Sequence, residues 1–164
     1  MTKNTPVRIA AYWLINHVFV GTRCFIQKRW LLNVVGHQVG TGTKIVGPLF
    51  CTGKLVAGKD CWIGRNFTIH GNGIVTLGDC CDIGPDVMFL TGSHEIATPQ
   101  RRAGAGQTHT IRIEEGCWIG ARSTFLNEIT VGRGSVIAAC ACVTKDIPAN
   151  TLAGGVPAGS IRTL

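Results

Sequence analysis

Three histidines, His70, His94 and His109, fall in the middle of this 164-residue chain. Imidazole is the side chain that takes up and releases a proton near neutral pH, so each is a candidate acid or base. His94 is placed best. It closes the repeat unit that starts at Leu77, in the run TGSHE, and opens the stretch EIATPQRRAGAGQTHTIR at 95–112. A long loop on a rigid scaffold is a common seat of function. Glu95 follows His94 directly, and His109 lies near the loop's return. His70 stands beside Gly71-Asn72-Gly73, a corner signature. Arg101 and Arg102 put two adjacent cations in the loop. No two of the three histidines are close in sequence, and no CxxC pair or Cys/His spacing resembles a zinc site. No metal is expected. His17 and His37 read as structural.

The elements that position these residues follow from a second pattern. Apolar residues recur every six positions at Ile113, Ile119, Phe125, Val131, Ile137 and Val143. An earlier run reads Val39, Ile45, Cys51, Ala57, Ile63, Ile69, Val75, and a shifted run, Leu77, Ile83, Phe89, links the two. Four residues after most of these comes another small or apolar residue, as at Cys117, Ser123, Ile129 and Ala141. Period six is neither the 3.6 of a helix nor the 2 of an ordinary strand. It suits a triangular coil that spends six residues per side, and so predicts an all-β fold, a parallel β-helix of hexapeptide repeats. Coils are expected over 36–94 and again from 113 to about 148, with one excursion loop at 95–112 and a tail at 149–164. Few rings are expected inside so narrow a coil.

Residues 1–36 differ in composition and read as an N-terminal helical cap on the β-helix domain at 37–164. The stretch 7–35 is apolar without the hexad and predicts one or two helices, with Gly21 as a break. Its longest uncharged run, Ile9 to Thr22, is shorter than the roughly 20 residues that a membrane span needs. Two roles stay open: a cover for the open end of the coil stack, and peripheral contact with a membrane surface. The net charge of +7 favours an anionic partner. Without a Lys/Arg tract or an aromatic ladder, that partner is not expected to be nucleic acid. Of the eight cysteines, Cys51, Cys61, Cys81 and Cys117 fall in core registers and read as small hydrophobes. No secretory signal is evident, and reduced thiols fit a cytoplasmic protein, one that could sit at the inner face of the membrane.

The segment GCWIGARSTFLNEITVGRGSVIAACACVTKDIPANTLAGGVPAGSIR, together with GPDVMFLTGSH, resembles the left-handed β-helix acyltransferases of the hexapeptide-repeat family. The likeness covers roughly residues 57–162. It is nearest to the sugar O-acetyltransferase branch: maltose, galactoside, nodulation, and capsule or colanic-acid acetyltransferases. Left-handedness rests on this resemblance, since such crossovers are rare. The resemblance implies a homotrimer that binds acetyl-CoA between subunits and transfers acetyl to a saccharide hydroxyl of a cell-surface or capsular glycan or its precursor.

The resemblance also assigns roles. His94 matches the catalytic base. Asn66 matches an asparagine near that histidine across the interface, and Glu95 is placed to orient the ring or steady the imidazolium, a role that the family does not fix at this position. Trp118 matches a tunnel-lining tryptophan, and Ala121 offers a main-chain N–H to the oxyanion. Ala139 lies in a small-residue turn that lets the pantetheine arm approach. Thr144, Lys145 and Arg162 match positions near the nucleotide phosphates. Gly159 stands where the family commonly has a cation. The corner of His70 and Asn72 falls where the family's sugar acetyltransferases contact the acceptor, and Arg101, Arg102 and His109 are expected to shape that pocket from their place in the loop. Serine acetyltransferase and amino-sugar N-acetylation remain alternatives, as does a non-catalytic or metal-binding coil. A γ-type carbonic anhydrase would need a close histidine pair, which this chain lacks. An ice-binding coil would need threonine ladders, which are absent too.

Overall fold

A computed structural model describes residues 5–164. The hexads form a three-sided parallel β-helix. Face A stacks Gln38–Val39, Lys54–Ala57, Ile74–Leu77, Thr110–Ile113 and Ile129–Val131. Face B runs from Lys44–Ile45 through Trp62–Ile63, Asp82–Ile83, Trp118–Ile119 and Val136–Ile137 to Thr151–Gly155. Face C stacks Leu49–Cys51, Phe67–His70, Met88–Leu90, Thr124–Leu126 and Cys142–Val143. Each hexad supplies an inward residue, its outward neighbours and a corner. Ile45, Ile63, Ile83, Ile119 and Ile137 are therefore all buried in one file.

Equivalent residues begin three hexads apart, with Val39 beside Ala57. The next coil is two residues longer, so Ala57 lies beside Leu77. The extra residues sit at the Gly71-Asn72-Gly73 corner, which accounts for the register jump from Ile69 to Leu77. Val75 also points inward, but it pairs with Leu55 and Ile111 in a second file. The excursion at 95–112 is more ordered than a loop. Gly92–Ile96 pairs antiparallel with Ala103–Thr108, and the chain is back on face A by Thr110.

The corners bring backbones very close. A Cβ built on Gly120 would lie 2.5 Å from the Ala139 nitrogen, so only glycine lets those two coils stack. Inside one corner runs a file of donors. Thr43 Oγ1 donates to Gly58 O at 2.7 Å, Cys61 Sγ to Gly78 O at 3.1 Å, Cys81 Sγ to Glu114 O at 3.0 Å, and Ser135 Oγ to Pro148 O at 2.8 Å. Cys61 and Cys81 are thus more than small hydrophobes: their thiols tie each coil to the next. All eight cysteines are free. Rings find more room than the sequence suggests. Phe67, Phe89 and Phe125 are fully buried, with centroids 5.4 and 4.7 Å apart. A flat ring fits because the strand spacing of about 4.8 Å suits stacked faces.

The N-terminal segment forms α1 (Thr5–Trp13), a π-type turn (Leu14–Val18) and α2 (Phe25–Val34). Leu31 and Leu32 turn one face of α2 onto the first coil, and the buried Val35 follows at its end. Polar clamps hold the join. The buried Lys28 ammonium donates to the carbonyls of Gly21, Ile45 and Val46 at 2.5, 2.8 and 2.9 Å. Burial lowers its pKa from the ordinary lysine value. His37 accepts from Leu55 N–H at 3.0 Å through Nδ1, so its Nε2–H is left to donate to Tyr12 Oη at 2.8 Å. Among the described residues no helix is long and apolar enough to cross a membrane.

Candidate active site

The hairpin fixes the chemistry of His94. Its Nδ1 lies 2.9 Å from the Gly104 carbonyl oxygen on the facing strand. A carbonyl can only accept, so Nδ1 carries the proton and Nε2 is left as the basic nitrogen. The ring is exposed. Glu95 is exposed and sits at the bulge where the pairing shifts register between His94 and Ile96. Gly104, the group that orients His94, is not among the residues singled out from sequence. A main-chain acceptor has no residue type to read; only the pairing of the two strands could have revealed it.

The hairpin springs from the corner between faces C and A. Its root lies directly over the Gly71-Asn72-Gly73 corner, where a Cβ on Gly71 would sit 2.5 Å from Gly92 N. His70, at the end of its face C strand, packs its ring on Phe50 at 5.7 Å. His109 closes the root through its N–H to Thr91 O at 2.7 Å. Its Nε2 is buried and has no hydrogen-bond partner among the described residues. Arg101 and Arg102 are exposed at the hairpin tip, with Arg102 Nη1 donating to Ala97 O at 3.2 Å. Two coils further along the same edge come Thr144, whose carbonyl accepts from Asn127 Nδ2 at 3.5 Å, and the exposed Lys145.

The remaining candidates lie elsewhere. Ala121 and Ala139 occupy successive corners between faces B and C, each followed by a residue in the left-handed region, Arg122 and Cys140. The N–H of the corner's third residue bonds back, as in Cys140 N to Ala121 O at 2.9 Å. The N–H groups of Ala121 and Ala139 donate to no group among the described residues. Asn66 belongs to the same edge, where Nδ2 donates to Asp86 Oδ1 at 2.7 Å, and Asp86 in turn faces Arg122 Nε at 4.0 Å. Trp118 stands 60% exposed on face B. Its outward file continues through Val136 and Leu152 to Arg162, three strand spacings or roughly 14 Å away.

The candidate residues of one chain therefore fall into two groups on different edges. His94, His70, Asn72, His109, Thr144 and Lys145 share the C/A edge. Asn66, Ala121 and Ala139 share the B/C edge, with Trp118 and Arg162 beside it on face B. A side of about five extended residues, roughly 16 Å, separates the edges. Among the described residues no three His, Cys, Asp or Glu side chains are gathered as a metal would require.

The bacterial transferase hexapeptide (six repeats) model matches residues 110–145. The galactoside O-acetyltransferase of Lactococcus lactis is 33% identical over 138 residues, spanning 84% of this chain and 59% of that enzyme. A putative colanic acid biosynthesis acetyltransferase of Escherichia coli is 27% identical over 161 residues, 95% of this chain and 87% of the relative. The chain spans a little over half the length of several other curated acetyltransferases it matches. A hexapeptide-repeat acetyltransferase of Vibrio cholerae, solved with acetyl-CoA, superposes with a TM-score of 0.85 at 27% identity, covering 97% of this chain and 86% of that one.

Proposed function

The chain belongs to the hexapeptide-repeat transferase family, and on that premise we propose that it is an acetyl-CoA-dependent O-acetyltransferase acting on a saccharide hydroxyl. The glycan would be a cell-surface or capsular one, or its precursor. The observation that carries this reading is the Nδ1–H to Gly104 O bond, which leaves His94 Nε2 facing solvent as an available base.

The reaction is direct transfer. His94 Nε2 removes the acceptor hydroxyl proton as the oxygen attacks the thioester carbonyl carbon. The carbonyl oxygen becomes an oxyanion, and the N–H of Ala121 supplies a fixed donor for it. The intermediate collapses with cleavage of the carbon–sulfur bond, and the proton on His94 passes to the departing thiolate. Ala139 N–H receives the pantetheine arm. Lys145 and Arg162 meet the phosphates.

The two groups are half-sites on different edges of one chain, so the complete site forms where the C/A edge of one copy meets the B/C edge of another, in a homotrimer. Support comes from the split geometry and from the colanic acid and galactoside acetyltransferases to which the chain is similar.

The test measures thiol release from acetyl-CoA by wild type and His94→Ala, against a panel of sugars with serine as control. Acceptor-dependent release should fall by about 10²–10⁴ in the variant while coenzyme A binding persists. Undiminished turnover by His94→Ala, or no binding of acetyl-CoA by wild type, would overturn the reading. Light scattering should give three chains per particle.

A further inference from the structure

α2 is apolar on two faces. Leu31 and Leu32 bury one against the first coil at 8% and 0% exposure. Ile26, Trp30 and Val34 recur every fourth residue on another, and stand 68%, 63% and 51% exposed. A helix that only caps a coil stack needs one apolar face. α1 repeats the pattern with Ile9 and Trp13, exposed at 65% and 56%.

The charge of the chain is just as lopsided. Residues 1–59 contain no Asp or Glu, and eight of the sixteen Lys and Arg lie there. The remainder carries the other eight with all nine acids, so the whole excess of positive charge resides in the first 59 residues. Lys28 is occupied by three carbonyls. Arg23 is exposed, and Arg29 is half-buried beside Trp30 in α2.

We propose that α1 and α2 dock this protein on an anionic phospholipid surface, with the Ile26–Trp30–Val34 stripe entering the headgroup layer and Arg23 and Arg29 meeting lipid phosphates. Charge selects this occupant. A second copy docking stripe to stripe would bring the same acid-free, basic segment and be repelled, whereas an anionic bilayer is complementary. Tryptophan favours the membrane–water boundary. Neither helix can span a bilayer, so the segment lies on the surface. The proposal does not depend on the transfer reaction, and either can fail without the other.

The test is co-sedimentation with vesicles of phosphatidylcholine, with and without one-third phosphatidylglycerol, at low and high salt. Wild type should pellet with the phosphatidylglycerol vesicles at low salt and release at high salt. Ile26→Ser combined with Trp30→Ser should weaken that binding about tenfold or more. Arg23→Glu with Arg29→Glu should abolish it. All four side chains lie outside the core, and a circular dichroism melt checks each variant. Wild type left in the supernatant, or serine variants that bind like wild type, would overturn the proposal. So would a change of oligomeric state on light scattering in the serine variant with no vesicle binding by wild type, which would make the stripe a subunit contact.

Discussion

At the scale of single residues, hydrogen-bond partners rather than residue types assign the roles. His37 and His94 are the same side chain. His37 accepts a backbone N–H through Nδ1 and is locked into the join with α1, while His94 donates through Nδ1 and keeps Nε2 basic. Burial pushes Cys51 from near 9 up to about 12, and burial raises the Tyr12 phenol beside it as well. A folded pKa above the unfolded one means that the stability is fully present below about pH 9 and is lost as pH rises toward 12, at about 1.4 kcal/mol per unit for one group. Denaturant midpoints should hold level to about pH 9 and fall beyond it, with Cys51→Ala flattening part of the fall. A midpoint that did not move with alkali would contradict this. His94 stands out in the sequence as a candidate because it combines a chemical side chain with a break in the repeat. Gly104 was not, because its contribution is a carbonyl that every residue has.

At the scale of elements, the hairpin is an insertion into an uninterrupted stack. Thr91 and His109 stay hydrogen-bonded at its root, and the strands on either side keep their registers, Met88 beside Thr124 and Leu77 beside Ile113. Replacing residues 93–107 with a short Gly-Ser link should therefore preserve a cooperative melt. On the proposed mechanism it should also remove acceptor-dependent transfer, since His94 goes with it. Loss of folding would mean that the hairpin is part of the core. The excursion reads as a loop because it breaks the six-residue period and is rich in Gly, Thr and Arg, with Pro99 inside. Its antiparallel pairing depends on main-chain bonds, which composition does not encode. The same holds for the coil that is longer by two residues. Both Val75 and Leu77 are apolar, and only strand pairing decides which one continues the file of Ala57.

At the scale of the molecule, each coil covers the next and stability sums over neighbours. Phe125 joins three coils, stacked on Phe89 and flanked by Val143. Phe125→Ala should cost about 3–5 kcal/mol, read from a urea titration. A cost below about 1 kcal/mol would mean that neighbouring coils close around the gap. The sequence by itself determined the coil and its hexad core, and singled out His94 as the candidate to move a proton. Inward side chains repeat with the geometry of the coil, and a histidine carries its chemistry in its type. Only the tertiary structure decided which nitrogen of His94 is basic, and that His94 and the Ala121–Ala139 corners lie on different edges of the triangle. It also decided that α2 turns a second apolar stripe outward. Those facts depend on which strands pair and which way each corner turns, and strand pairing joins main-chain groups that are alike in every residue.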